Sequence, residues 1–370
     1  MSTEAQPQQP QPAPAPSRVP PTVIDAPAAL AKLDEFDAII DVRSPSEFAE
    51  DHLPGALNWP VLDDEQRRVV GTLYKASPFE ARKLGAALVA RNIAQHLDAH
   101  GAALPRNWRP LVYCWRGGQR SGAMHWFLGQ IGFKSRQLAG GYKAYRTEVR
   151  LALDAIPLDF PLHVLCGRTG SGKTRLLHAL RAQGAQVLDL EGLARHRGSV
   201  LGALPDQAQP SQKGFDSLLW QALKALDLSR PIFVESESRK IGLIRLPEAL
   251  HTAMRATKTC YWLEMPDAAR VQLLLEDYAH FKAQPDQFCT LLSGLVTLRG
   301  HQKVSHWQAL ARAGDFASVF GELMREHYDP GYERSLSGHY PQLAQARQLH
   351  LPDGGPQALS AVATQMLQNP

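Results

Sequence analysis

A cysteine set among glycines and arginines, Y-C-W-R-G-G-Q-R-S from Tyr113 to Ser121, is the first place where residue types and spacing add up to chemistry. Gly117 and Gly118 let the backbone curl so that successive N–H groups turn toward one centre. Arg116 and Arg120 add positive charge, and Gln119 and Ser121 complete the turn. A helix starting there would add the positive end of its dipole. The result is an anion cradle with Cys114 at its floor. Such a field favours the thiolate, which is the nucleophilic form, and it would hold a tetrahedral oxyanion delivered to the sulfur. The plainer alternative is a small buried residue at a strand end. The glycines, the C-x5-R spacing and the helix start together weigh against it.

A second loop, G-R-T-G-S-G-K-T, runs through Gly167, Arg168, Thr169, Gly170, Ser171, Gly172, Lys173 and Thr174. It satisfies the G-x-x-x-x-G-K-[ST] pattern of a phosphate-binding loop between a strand and a helix. Its N–H groups would wrap phosphate oxygens, Lys173 would supply a point charge, and the Thr174 hydroxyl could hold Mg2+. The usual acidic partner at the end of a later strand is an aspartate. This chain instead offers Glu191 after V-L-D-L and Glu235 after P-I-F-V, as metal or water ligands or as solvated strand-end carboxylates. A diphosphate is the only part the loop must recognise, so ATP, GTP and a non-nucleotide diphosphate are all open. His196, Arg197 and Ser199 could contact phosphate or a base, or could simply be a helix cap and surface charge.

The elements that must position these loops fall into two blocks of alternating strand and helix signals. The first block has strands over 37–43 and 109–115, then a helix whose Met124, Phe127, Leu128 and Ile131 fall on one face. An amphipathic helical stretch lies within residues 61–100. The second block opens with a strand over 162–166 and a helix from Lys173, followed by strands over 185–191, 230–236 and 258–265. Such alternation implies α/β architecture with parallel sheets covered on both faces. Beyond residue 266 the strand signal stops. The expected organisation is a disordered Pro/Gln-rich tail at 1–21, a first domain at 22–150, a second at 158–266 and a helical extension at 267–370.

Composition narrows the class. The hydrophobic share of 44% and the charged share of 21% suit an ordinary soluble protein, and 370 residues exceed one typical core. A net charge of +4 permits a polyanionic partner without demanding one. The four cysteines lie far apart and the 14 histidines show no ligand spacing, which argues against zinc ribbons, disulfide frameworks and transition-metal sites. The start of the chain lacks the pattern of a secretory signal, and no apolar run approaches the ~18 residues of a membrane span. A reduced, cytoplasmic setting is the expectation.

The segment D-V-R-S-P-S-E-F-A-E-D-H-L-P-G-A-L-N (41–58) resembles the opening signature of rhodanese domains, through Asp41, Arg43, Glu47, Phe48, His52, Pro54, Gly55, Ala56 and Asn58. The ending L-A-G-G-Y-K-A-Y-R (138–146) resembles the family's close. Rhodaneses carry sulfur or selenium on the loop cysteine as a persulfide or selenopersulfide. Many rhodanese loops are one residue shorter, and the longer spacing is shared with cysteine-dependent dual-specificity phosphatases.

Over residues 25–340 the chain resembles the tRNA 2-selenouridine synthase family. The resemblance rests on V-x-x-D-E-x-R-x-x-V-G-T-L-Y-K (61–75), the cysteine loop, the phosphate loop, D-L-E-G-L-A-x-H-R-G-S (189–199) and H-Y-D-P-x-Y (327–332). It implies a rhodanese-like parallel-sheet domain followed by a P-loop NTPase-like domain and a C-terminal helical extension. It also implies a transferase acting on the tRNA wobble position. Geranyl diphosphate would convert 2-thiouridine to its S-geranyl form, and selenophosphate would then give 2-selenouridine. Lys173, the phosphate-loop amides and a Mg2+ on Thr174 would serve the first step. Cys114, Arg116, Arg120 and the amides of Gly117 to Ser121 would serve the second, with a selenophosphate-supplying enzyme as a further partner. Arg255, Lys258, Arg299 and Lys303 could grip the tRNA, with Trp307 stacking on a base. Two other readings stand beside this one. One is a cysteine phosphatase or sulfurtransferase fused to a kinase-like P-loop domain. The other is a noncatalytic rhodanese platform, which would need neither Cys114 nor Lys173.

Overall fold

The computed structural model describes residues 22–332 and 341–368, so the tail expected to be disordered over 1–21 lies outside the described residues. Contacts divide the chain into two units. The first comprises residues up to Pro45 together with Gly55–Ala144, and the second comprises Ser46–Pro54 together with Tyr145 onward.

The first unit is built on five parallel strands: β1 (Val23–Ile24), β2 (Ala38–Asp41), β3 (Ala56–Asn58), β4 (Pro110–Tyr113) and β5 (Arg136–Leu138), in the order β1-β5-β4-β2-β3. Strand β4 is central and buried throughout, as its unbroken apolar run requires. Helices Asp64–Ala76 and Pro78–His100 account for the amphipathic stretch. The first opens on a capping box in which Asp63 and Gln66 each satisfy the other's backbone N–H. In helix Gln119–Ile131, Met124 and Leu128 are buried and Phe127 packs against the same core, but Ile131 is 53% exposed. The apolar face therefore ends one turn before the periodicity predicts, because the helix terminates there at a left-handed Gly132.

The Asp-x-Arg signature is architectural. Arg43 donates Nε and Nη2 to the Asp41 carboxylate, the shortest bond being 2.6 Å, with both side chains fully buried. Its guanidinium lies 3.9 Å from the centroid of Tyr142. Asn58 donates to the carbonyls of Asp41 and Arg43, tying β3 to the turn. Breaking one half of a buried pair strands the other charge. Arg43→Met should therefore lower stability by about 3–5 kcal/mol in chemical denaturation. The double variant Asp41→Asn with Arg43→Met should recover part of that loss.

The second unit carries β6 (Leu162–Gly167), β7 (Gln186–Leu188), β8 (Ile232–Glu235), the hairpin β9 (Lys240–Ile241) and β10 (Ile244–Arg245), β11 (Thr259–Glu264) and β12 (Arg347–His350). Five of these form a parallel sheet ordered β12-β11-β6-β8-β7. Helices between residues 267 and 323 enclose their own core, centred on Trp307, Phe288 and Phe320.

One expectation is corrected here. The span 267–370 is not wholly a helical extension, because β12 and helix Pro356–Gln368 return to the phosphate-loop sheet. There Leu349, Leu359, Val362 and Met366 share a core with Leu165, Leu176 and Leu177. Only Leu349 of the four residues in β12 is buried, as befits an edge strand, so no apolar run announces it. No helix among the described residues is long and apolar enough to cross a membrane.

Candidate functional site

Cys114 follows directly on β4, and the turn after it is interlocked with the Gly140–Gly141 corner. The carbonyls of Cys114 and Trp115 accept from the backbone of Tyr142 (2.8 Å) and Lys143 (3.0 Å) at the start of helix Gly141–Asp154. Gly117 and Gly141 both have left-handed backbones. A Cβ on Gly117 would lie 2.5 Å from the Leu138 carbonyl, and one on Gly141 would lie 2.2 Å from the Cys114 carbonyl. One close approach thus requires a glycine on each side, Gly117 and Gly141.

The sulfur is less open than the cradle reading expects. Cys114 is 4% exposed and packs with Val42, Val112 and Met124. The Ser121 hydroxyl donates to its Sγ at 3.2 Å. Gln137 Nε2 in turn donates to Ser121 Oγ (3.0 Å) and to the Gly117 carbonyl (2.7 Å). Arg116, Gly118 and Gln119 lie at the surface, whereas Arg120 is half-buried. The sulfur thus meets a hydroxyl and apolar side chains, and Arg116 is exposed. A hydroxyl donor in a small apolar setting can still stabilise negative charge arriving on sulfur. Sequence reasoning placed Ser121 in the cradle but missed Gln137, which lies 16 residues further on.

The phosphate loop leaves β6 at Gly167 and enters helix Lys173–Ala182 through a left-handed Gly172. Lys173 Nζ donates to the Gly167 carbonyl at 2.7 Å and stands 5.3 Å from the Tyr332 ring. Thr174 Oγ1 donates to Glu191 Oε2 at 2.9 Å, and the Glu191 backbone N–H donates to Glu235 Oε1 at 2.8 Å. Glu191 sits in the short helix Leu190–Ala194 rather than at a strand end. Glu235 is fully buried, and its Oε2 has no hydrogen-bond partner among the described residues.

A third carboxylate, Glu237, completes the group. A Cβ on Gly198 would come within 2.9 Å of Glu237 Oε2 and 3.0 Å of Glu191 Oε1. Burial first, and neighbouring carboxylates second, push Glu235 well above the usual carboxylate range. Burial likewise raises Glu191, and burial with the Glu191 charge raises Glu237 to about 8. The charges of Lys173 and Arg197 offset only part of this rise. Thr174 with Glu191 is a donor set suited to Mg2+, which keeps several waters of its own. Among the described residues, no three His, Cys, Asp or Glu side chains form a closed metal site.

The pH dependence follows in sign. Between about 4.5 and 8 the folded chain keeps a proton on Glu237 that the unfolded chain has released, so stability falls as pH rises through that window. Glu237→Gln should make the decline in melting temperature from pH 5 to 8.5 shallower in chelator-containing buffer.

Around the loop is a cavity of about 570 Å3 lined by residues 169–175, by Glu191, by Arg197 to Val200, and by Leu273, Leu274, Tyr278, Tyr328 and Tyr332. Its lining combines charged groups with Leu273, Leu274 and three tyrosines. Arg270, 1% exposed, donates to the Thr169 carbonyl (2.8 Å) and bidentately to Asp329 (2.6 and 3.0 Å). The Tyr332 hydroxyl accepts from the Gly167 backbone (3.1 Å) and meets Ser236 Oγ at 2.8 Å. The late H-Y-D-P-x-Y segment thus clamps the loop from behind.

The remaining sequence candidates divide. Arg197 and Ser199 line the cavity, whereas His196 is 8% exposed with its ring against Gly242. Arg255 lies on the cavity wall and Lys258 is exposed. Trp307 is fully buried and donates its indole N–H to Glu322, so it offers no face to a base. Lys303 is paired with Glu322 and Glu326, and Arg299 donates to His327. Trp307 is thus a core residue, and Arg299 and Lys303 are half-buried with partners of their own.

Comparison with known proteins matches residues 160–294 to the tRNA 2-selenouridine synthase AAA domain and residues 25–148 to the rhodanese-like domain. The chain is similar to a tRNA 2-selenouridine synthase of Shewanella halifaxensis, with 39% identity over 328 residues, covering 80% of this chain and 88% of that one. It is similar to one of Nitrosomonas europaea, with 40% identity over 245 residues and 65% of this chain covered. That alignment spans 63% of the Nitrosomonas protein, just under two thirds of its length. A third, from Bdellovibrio bacteriovorus, is 36% identical over 247 residues, covering 65% of this chain and 64% of that one.

Proposed function

Because the chain belongs to the tRNA 2-selenouridine synthase family, we propose that it replaces the sulfur of a 2-thiouridine at the tRNA wobble position with selenium, in two transfers served by two loops. The observation that carries this reading is the mixed lining of the cavity. A phosphate loop with Lys173 opens onto the same space as Leu273, Leu274 and three tyrosines, which suits a diphosphate attached to an apolar chain.

In the first transfer the base sulfur attacks C1 of geranyl diphosphate, the C1–O bond breaks, and diphosphate leaves with the electron pair. Lys173 and the amides of residues 168–174 stabilise the charge growing on the leaving oxygens. Thr174 and Glu191 would hold Mg2+, which would neutralise part of the same charge. Tyr332 and Arg270 keep the loop in shape. The N3 proton that the base gives up on S-alkylation passes to water, because Glu237 keeps its own proton at neutral pH and Glu191 is turned to Thr174.

In the second transfer selenium from selenophosphate reaches C2 and geranylthiolate departs, a better leaving group than a thiocarbonyl sulfur. The turn from Cys114 to Ser121 would hold the donor while its selenium attacks C2 with its own electron pair. The C2–S bond breaks toward geranylthiolate, and water then cleaves the Se–P bond to give phosphate. Cys114 and Ser121 would steer the selenium to C2. The test incubates the protein with 2-thiouridine tRNA, geranyl diphosphate and selenophosphate, leaving each out in turn, and reads nucleoside masses. The expected products are S-geranyl-2-thiouridine without selenophosphate and 2-selenouridine with everything present. Turnover of a generic aryl phosphate, with neither nucleoside product formed, would overturn the reading in favour of a cysteine phosphatase.

A further inference from the structure

Beside the cavity stands a hairpin that the chemistry above does not use. Residues 236–239, which line the cavity, lead directly into β9, and β10 leads back to Glu248, His251 and Arg255 on the cavity wall. Its two-residue turn is Gly242–Leu243, with a left-handed glycine first, as the twist of a hairpin favours. Leu243 is 80% exposed, the most exposed of the large apolar side chains in the described residues.

This exposure is not slackness. Beneath the turn, Ile241 and Ile244 face each other and are fully or almost fully buried. Gln209 donates to the Ile241 carbonyl (3.1 Å) and accepts from the Leu243 N–H (2.8 Å). Gln212 makes the same pair of bonds to Arg245, at 2.9 and 2.8 Å. Two glutamines thus hold both sides of the turn as a strand would. On the other face Lys240 and Arg245 lie directly opposite one another. Like charges across a hairpin oppose folding, and an anion between them would reverse that effect. A rigidly held apolar prong flanked by paired cations, at the rim of a cavity that must receive a base, has the charge and shape to meet a nucleic-acid loop.

We propose that this hairpin is a wedge for the RNA substrate. Leu243 takes the place of the target uridine in the base stack of the anticodon loop while that base turns into the cavity, and Lys240 and Arg245 hold the flanking phosphates. The inference deepens the proposed tRNA modification and rests on it.

The test uses the full chain and a 2-thiouridine anticodon stem-loop with 2-aminopurine next to the target base. Binding should raise the fluorescence, because the probe loses its stacking partner. Leu243→Ala should abolish most of that rise and lower kcat/KM on the stem-loop by about 10- to 100-fold. On a short flexible oligonucleotide carrying 2-thiouridine, which needs no unstacking, it should lose no more than about twofold. Leu243→Met should behave as wild type, and the melting temperature should not move. Joint substitution Lys240→Ala with Arg245→Ala should reduce the salt slope of binding by about 2. An unchanged fluorescence rise in Leu243→Ala, or equal losses on both RNAs, overturns the wedge. A wild-type protein that binds and unstacks the loop but modifies neither RNA instead overturns the two-transfer reading.

Discussion

Lys173→Ala should lower prenyl transfer by about 10²- to 10³-fold, the scale on which a single oxyanion-stabilising donor acts, while leaving the cysteine loop intact. The expectation follows from position. Lys173 Nζ stands 2.7 Å from the first carbonyl of a loop whose backbone is locked by Arg270 and Tyr332, so its charge is aimed without reorganisation. The loss should appear in kcat more than in KM, because the charge on the leaving diphosphate develops only at the transition state. Selenation of a chemically prepared S-geranyl-2-thiouridine tRNA should survive. Equal loss of both transfers in a variant with unchanged melting temperature would dissolve the division of labour between the loops. Rapid ATP hydrolysis by the wild type without prenyl transfer would count against a diphosphate leaving group.

Cys114→Ala should do the converse. Geranylation should remain within about twofold of wild type, and selenation should fall by about 10³-fold or more, as when a group that acts in the transition state is removed. The side chain is small and its site is closed, so the truncation leaves only a modest void and the first unit should stay folded. Ser121→Ala is the informative companion, since it removes the hydroxyl that donates to Cys114 Sγ without touching the sulfur. Its expected loss in selenation is smaller, about tenfold, the value of one hydrogen bond to a charged partner. Undiminished selenation in Cys114→Ala would remove the sulfur from the mechanism.

What could be read from the residues alone was whatever is local in the chain. The phosphate loop needs only eight consecutive residues. The cysteine turn needs little more, and the α/β alternation shows in each apolar run. What escaped depends on distance. Arg270 reaches Asp329 across 59 positions, and Gly167 reaches Tyr332 across 165, so no spacing rule could join them. Glu237 looked like an ordinary residue beyond a strand until Gly198 folded against it. Trp307 and Lys303 show the opposite failure. Residue type alone proposed them for the tRNA, and an aromatic core and a nucleic-acid platform have the same composition. The depth of Cys114 follows from a central buried strand, whose end carries the burial of the strand itself with it.

The placement of β12 has a consequence for how the chain is made. The first unit can settle while later residues are still emerging from the ribosome, since its five strands are complete by residue 138. The second sheet starts at Leu162 but must wait for residues 347–350 before its edge is covered, and for 356–368 before the helix that carries the phosphate loop gains its outer neighbour. From residue 264, where β11 ends, until residue 347, where β12 begins, the flank of β11 is an open template that a nascent neighbour or a chaperone could meet first.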